Sequence, residues 1–549
     1  MMTIKVSVII IIVLILPLIL SLRKVWVVGK AKSISDFFLN DRKMDSSDFI
    51  NTTVSYGYQV AAISLFAYWG FTYGFWTIWV PIFWAAGFYI LRYLNDNDYL
   101  DLFYNNHAGN TLHGFLGHQY NYKELGRLAG LTSILGLSGT AFFEADFTSK
   151  LISNAAFSNN FWWYIGIFIF FVFIVLIYII YGGLKTIVIT NKVQLSLGFI
   201  FFNAFVVFIF IKIIFDGFLY SGFILYTLGF LSVFILNLLY PKFKRYHPAN
   251  FKKSYSTPLV ISLSFYIIGA VYVLFSLTYN GIVIKDSYHD FFMTQNFCNI
   301  LSLGWVPLIS LLLANALWQI VDVSNWQRMA AINDTMVKKE EISRTLTFIG
   351  YYSAITWIIA ILFGMGLKYY LSSITDASLA LQEFTQKYFL SQNIFEFIFI
   401  ISFFFSLIFI MLSTLDSLIS AISYTTYYDV IYQRQKKLSG ARIWTFIYTI
   451  VFLLLYILIR LKVNKVDDIL YTFYSFQLAL FPCIIVLFFN LKFHKYAAYS
   501  SIIGGIIGTL IPFFVNSGII TPYTFAAIAS ISASSITLVG VNFFFKNRQ

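Results

Sequence analysis

Ser413-Thr414-Leu415-Asp416-Ser417 follows an almost unbroken apolar run from Phe397 to Leu412. Such a run is long enough to cross a bilayer as a helix. On that helix Ile410, Ser413 and Thr414 share a face, and Asp416 and Ser417 lie one turn further along the same side. Two hydroxyls and a carboxylate then converge at one depth where water is scarce. Oxygen clusters of this kind suit a small hard cation. The hydroxyls alone are explained equally well by helix packing and by bonding back to their own carbonyls. Asp416 tips the balance, because an acid near the bilayer centre costs about 2.5–3.5 kcal/mol on insertion scales and is retained for function or pairing.

The rest of the chain agrees with a membrane reading. Of its 549 residues 59% are hydrophobic and only 11% charged, and the mean hydropathy is +0.78. These values describe a multi-pass all-α membrane protein embedded in lipid. A net charge of +13 belongs in cytoplasmic loops of such a protein, so no nucleic-acid partner is needed to account for it, and nothing points to a protein partner. Cys298 and Cys483 suggest no metal site. The six histidines, His107, His113, His118, His247, His289 and His494, fall in expected loops or at their edges. That placement argues against a membrane-embedded enzyme with a histidine centre.

Ile4 to Leu22 is an apolar span without a signal-peptide cleavage pattern, followed directly by Arg23 and Lys24. The basic linker up to Ser47 is expected to be cytoplasmic, with the N-terminus outside. Further spans are expected at 48–74, 76–93, 127–153, 161–181, 191–214, 218–240, 257–279, 297–322, 343–370, 394–426, 441–460, 466–489, 496–515 and 523–544, about fifteen helices in all. Basic residues recur in every second loop, as at Lys242 to Lys253 and Arg434 to Arg442, and again in the tail with Lys546 and Arg548. This alternation puts the C-terminus in the cytoplasm and suits a plasma-membrane protein.

Four segments carry a family resemblance. Asp36-Phe37-Phe38-Leu39-Asn40-Asp41-Arg42 resembles the "DFFLAGR" segment of the sodium:solute symporter family, and Thr111 to Gly117 with Tyr120 resembles its "TLPEFLxxRY" linker. Gly182-Gly183-Leu184 with Thr190 to Gln194 is similar to "GGL…TDxxQ", and Ser413 to Ser417 to "STADS". The resemblance implies a leucine-transporter-type fold, in which two inverted five-helix repeats each open with a broken helix and a solute binds near the midplane. The repeats are expected at 48–214 and 297–460. An extra N-terminal helix lies at 4–22, an inserted helix pair at 218–279, and C-terminal helices at 466–544. The inserted pair departs from the usual pattern.

The resemblance also implies site residues. A coupling Na⁺ would take the carbonyls of Ser55, Tyr58 and Ile410 and the hydroxyls of Ser413 and Thr414, with Gly57 marking the break that frees the first two carbonyls. The family's "TDxxQ" acid is Asn191 here. Either a second cation site survives around Asn191, Asp416 and Ser417, or one ion is coupled per cycle; the neutral asparagine favours the latter. Gly57, Gln59, Asn315, Trp318 and Tyr474 are expected to form a small, partly aromatic solute site. Gly304 and Pro307 are candidates for interrupting the second broken helix. Asp322 and Arg328 resemble the "VDxxxWQR" segment of urea-transporting members and are read as an anchor at the cytoplasmic end. Where sugar-transporting members place polar ligands this chain has Ala61 and Ala62, which argues against a sugar. Glu144 and Asp146 are placed near the outer end of their span, with Asp146 paired to Lys150 and proton coupling through Glu144 left open. The function implied is symport of a small polar solute (an amino acid, urea-like molecule or small carboxylate) with Na⁺ by alternating access. H⁺ coupling, or a non-transporting sensor on the same fold, are the alternatives.

Overall fold

The computed structural model describes residues 14–23, 25–27, 29–104, 111–157, 160–215, 305–332, 339–370, 377–389, 394–431, 437–462, 466–491, 493–514 and 522–546. The expected helix pair at 218–279, the N-terminal part of the 4–22 helix and Gly304 lie outside these residues. All named elements are helical, and the backbone pairing outside helices includes one isolated bridge, Met44 with Ile332.

The first series of helices is α1 (Ile34–Leu39), α2 (Ser46–Gly57), α3 (Val60–Tyr73), α4 (Trp79–Asp96), the short α5 (Leu112–Gln119), α6 (Lys123–Phe157), α7 (Phe161–Gly182) and α8 (Leu184–Phe215). The second is α9 (Trp305–Val321), α10 (Val323–Ala330), α11 (Lys339–Tyr370), α12 (Ala377–Phe389), α13 (Ile394–Thr425), α14 (Leu438–Lys462), α15 (Val466–Leu478) and α16 (Phe481–Phe488). The last two helices, α17 (Lys495–Phe514) and α18 (Pro522–Lys546), pack on each other. Eight helices among the described residues are long and apolar enough to cross a membrane. At about 1.5 Å per residue α6 spans about 52 Å, well beyond the hydrocarbon core, so it runs tilted or protrudes.

The two series pack reciprocally. The broken helix of the first, α2 with α3, lies against α11, and the broken helix of the second, α9, lies against α4. Likewise α13 packs on α8 while α6 packs on α15, so that the third long helix of each series meets the fifth of the other. An exchange of partners of this kind is what a two-fold relation between inverted repeats produces, and the fold is of the leucine-transporter type. The helices α6 and α13 are mostly enclosed by their neighbours, whereas α14 and α18 turn most of their surface outward. On α14 the exposed side chains are Ile443, Phe446, Val451, Leu454 and Leu458, a face suited to acyl chains.

Glycines set the closest approaches. A Cβ on Gly70 would lie 2.3 Å from the Ile361 carbonyl oxygen, and one on Gly364 would lie 2.0 Å from that of Ala67, so α3 and α11 touch backbone to backbone at two points one turn apart. Gly198 performs the same service for α8 against Ile410 of α13.

Candidate functional site

Two interruptions of helical backbone face the middle of the protein. The first falls at Tyr58 (φ −85°, ψ 83°) and Gln59 (φ −100°, ψ 141°), directly after Gly57, between α2 and α3. No strong local stop signal forces it; a Cβ on Gly57 would meet only ordinary contacts, with Trp84 at 3.6 Å and Ser353 at 4.0 Å. What holds the break comes from elsewhere in the chain. Gln59 offers no side-chain cap to α3. Instead Glu144 of α6 accepts the Val60 N–H on Oε2 at 2.7 Å and the Ala61 N–H on Oε1 at 3.0 Å. Two of the first-turn donors that a helix leaves open are thereby satisfied, and a carboxylate sits at the positive end of the helix dipole.

Glu144 is fully buried beside the break, so its expected position near the outer end of the span is corrected. The span extends to Phe157, thirteen residues past Glu144, which brings that residue to mid-helix. Asp146 accepts from the Tyr164 hydroxyl of α7.

The carbonyls released on the α2 side point at α13. Ser413 Oγ lies 3.3 Å from the Ser55 carbonyl oxygen and 2.8 Å from that of Ile410. Thr414 Oγ1 lies 3.4 Å from the Tyr58 carbonyl oxygen and 3.1 Å from that of Ile410. All five oxygens expected from the sequence are therefore gathered, from helices separated by some 356 residues of chain. One turn along α13, Asp416 accepts from Tyr178 Oη at 2.6 Å and from Ser417 Oγ at 3.1 Å, and Asn191 Nδ2 donates to Ser417 Oγ at 3.3 Å. The three residues of the second cluster are thus in one network. Tyr178 joins it, a partner that lies in an apolar run and carried no signal in the sequence.

The second interruption falls at Asp322 (φ −71°, ψ 109°), between α9 and α10. Here the cap is local, because Asp322 Oδ1 accepts the Ser324 N–H at 3.0 Å. The same oxygen accepts from Tyr56 Oη of α2 at 3.2 Å, tying the two broken helices together. Arg328 lays its guanidinium 4.8 Å over the Tyr56 ring and bonds back to Ser324. Of the expected breakers, Gly304 lies outside the described residues, and Pro307 lies within α9 as described. Asp322, followed two residues later by the Ser324 whose N–H it caps, was the local signal available.

Between the two breaks stands a group of aromatic side chains. Trp318 stacks on Tyr56 at 6.0 Å, lies 5.3 Å from Trp84 and meets Tyr474 edge-on at 5.1 Å. Tyr474 Oη donates to Gln59 Oε1 at 2.5 Å. Gly57, Gln59, Trp318 and Tyr474 thus come together as expected. Asn315 does not join them through its amide, which bonds to the Leu311 carbonyl of its own helix at 2.7 Å. Trp84 was missed, because a tryptophan in an apolar run reads as core until its neighbours are known. So was the burial of His113, whose Nδ1 is 2.9 Å from Asp429 and Nε2 2.8 Å from Ser133. It lies inside α5 rather than in a loop, and α5 is buried against α6.

No family model matches the chain, and no curated protein sequence matches it. Among solved structures the chain is similar to the substrate-bound outward-open state of a Na⁺-coupled sialic acid symporter, with a TM-score of 0.63 and 14% identity over 96% of this chain and 97% of that one. At that identity the likeness concerns the fold, and it covers the helices on both sides of each break.

Proposed function

We propose that the chain is a secondary active transporter that couples inward movement of a small polar solute to Na⁺ by alternating access. The observation that carries this reading is the five-oxygen cluster of Ser55, Tyr58, Ile410, Ser413 and Thr414, set where backbone carbonyls are released by a helix break. A hard cation with ligand bonds of about 2.3–2.6 Å needs neighbouring oxygens about 3.3–3.7 Å apart; the contacts of Ser413 with Ser55 and of Thr414 with Tyr58, at 3.3 and 3.4 Å, already have that spacing, and those with Ile410, at 2.8 and 3.1 Å, would have to open. The cation's role is to neutralise the inward carbonyls and to draw α13 onto the break. The similar symporter adds support at the level of fold. Its solute is not carried over to this chain.

Asp416 is a structural acid in this reading, since Tyr178 and Ser417 already occupy its oxygens, and one ion moves per cycle. Gly57, Gln59, Trp318 and Tyr474 border the solute. The first repeat runs over 48–214 and the second was expected over 297–460; the packing of α6 on α15 supports counting α15, beyond that expected end, with the second repeat. The N-terminus lies outside and the C-terminus in the cytoplasm, a placement that impermeant labelling of a cysteine at Met2 in intact cells tests.

The test of coupling is Na⁺-dependent thermal stabilisation of the purified protein, together with uptake into vesicles with and without a sodium gradient. Ser413→Ala with Thr414→Val is expected to weaken apparent Na⁺ affinity by about tenfold or more, equivalent to about 1.4 kcal/mol or more, while leaving expression and the sodium-free melt near wild type. Unchanged Na⁺ dependence in that double variant would show the cluster to be packing only.

A further inference from the structure

The positive N-terminal end of a half-helix at a break is the place where a transporter of this architecture can receive an anionic solute group. In this chain that place is taken. Both carboxyl oxygens of Glu144 accept from the first two N–H groups of α3.

A second observation concerns the groups still seeking partners. Among the described residues the indole N–H groups of Trp84, Trp318 and Trp357 and the Nε2 of Gln59 are buried without a hydrogen-bond partner. Trp84 lies 5.3 Å from Trp318 and 5.7 Å from Trp357, so the three donors belong to one aromatic group beside the break. An indole N–H can only donate, and a buried donor left unpaired is costly. The complement of three indoles and an amide N–H is a set of acceptors, and with the two N–H groups of α3 already taken no free helix N-terminus is left at this break to favour a charged one.

We infer that Glu144 is a built-in occupant of the anion position at the first break, and that the solute is a neutral molecule bearing carbonyl-type acceptors, held against Trp84 and Trp318, rather than a carboxylate. This rests on the solute site proposed above and narrows the amino acid, urea-like and carboxylate classes to the uncharged one. Glu144 acts by exclusion: it positions α3 and occupies the two N–H groups that a solute carboxylate would need.

The experiment uses the full chain in lipid nanodiscs and isosteric probe pairs that differ in charge, acetamide against acetate and benzamide against benzoate, read by thermal stabilisation. Wild type is expected to bind the amide of each pair at least about tenfold more tightly than the carboxylate. In Glu144→Ala the two N–H groups are freed, so formate and acetate should stabilise the variant at concentrations that leave wild type unmoved. Glu144→Gln keeps the volume and one acceptor; it should fold where the alanine variant does not, and its preference for the amide over the carboxylate should fall. Carboxylates binding wild type as tightly as amides, no wild-type response to either amide, or a Glu144→Gln preference equal to wild type's would each overturn the inference. Na⁺-induced stabilisation of wild type, recorded in the same assay, separates the two readings. Its absence would count against the transporter proposal, whereas its presence with any of those three outcomes would count against the solute class alone.

Discussion

The two helix breaks look alike in outline and are built in opposite ways. At Asp322 the chain supplies its own cap two residues ahead, and the break would survive much of its surroundings. At Tyr58 and Gln59 the cap is Glu144, 84 residues away from Val60 in sequence, and the released carbonyls are met by a helix 356 residues away. A break held from outside can respond to what binds between its holders, whereas a break held from inside mainly fixes direction. On the proposed function the first is therefore the place for an ion and a solute, and the second serves as an anchor.

The largest effect that can break this comparison is a loss of stability at the first site. Glu144→Ala leaves two buried N–H groups without acceptors, at about 1–3 kcal/mol each, whereas Asp322→Ala removes a cap worth about 0.5–2 kcal/mol and one tyrosine bond. Melting in nanodiscs should rank Glu144→Ala as the more damaging, and the reverse order would make both breaks self-held. Next comes Asp416→Asn. With one coupled ion its Hill slope for Na⁺ should match wild type while stability falls through the lost charge-assisted bond from Tyr178, by about 1.5–3 kcal/mol; a lowered slope would mean a second ion binds beside it. Thr414→Ser keeps the oxygen that faces Tyr58 and should change apparent Na⁺ affinity by less than about tenfold, below about 1.4 kcal/mol, against the severe loss expected for the double variant. Smallest is Tyr56→Phe, which removes one neutral-to-acid bond of 3.2 Å and should cost about 0.5–1.5 kcal/mol without altering Na⁺ dependence.

What could be read from the sequence follows the same division. Ser413 and Thr414 stood out because hydroxyls and an acid interrupt an apolar run, and the residues expected to face them, Ser55 and Tyr58, do face them. The position of the first break after Gly57 followed from the family resemblance rather than from a local signal. Glu144 was placed near the outer end of its span rather than beside the break, since a side chain that closes another helix leaves no local spacing to detect. Tyr178, Trp84 and His113 were silent for a related reason: each is ordinary in its own segment and acquires a role only from a neighbour far along the chain. The break at Asp322 carried its own local signal, the acid two residues before the N–H that it caps.

The backbone contact of Gly70 and Gly364 with the facing helix has a mechanical consequence. Two carbonyls, of Ile361 and Ala67, seat where side chains would otherwise keep the helices apart, so α3 and α11 cannot slide past one another by even one residue without collision. They form a single lever. On the proposed function a change of access swings this lever as a unit, and the pivot nearest to it is the non-helical pair Tyr58 and Gln59, set between the Glu144 bonds to Val60 and Ala61 and the contact of Thr414 with the Tyr58 carbonyl.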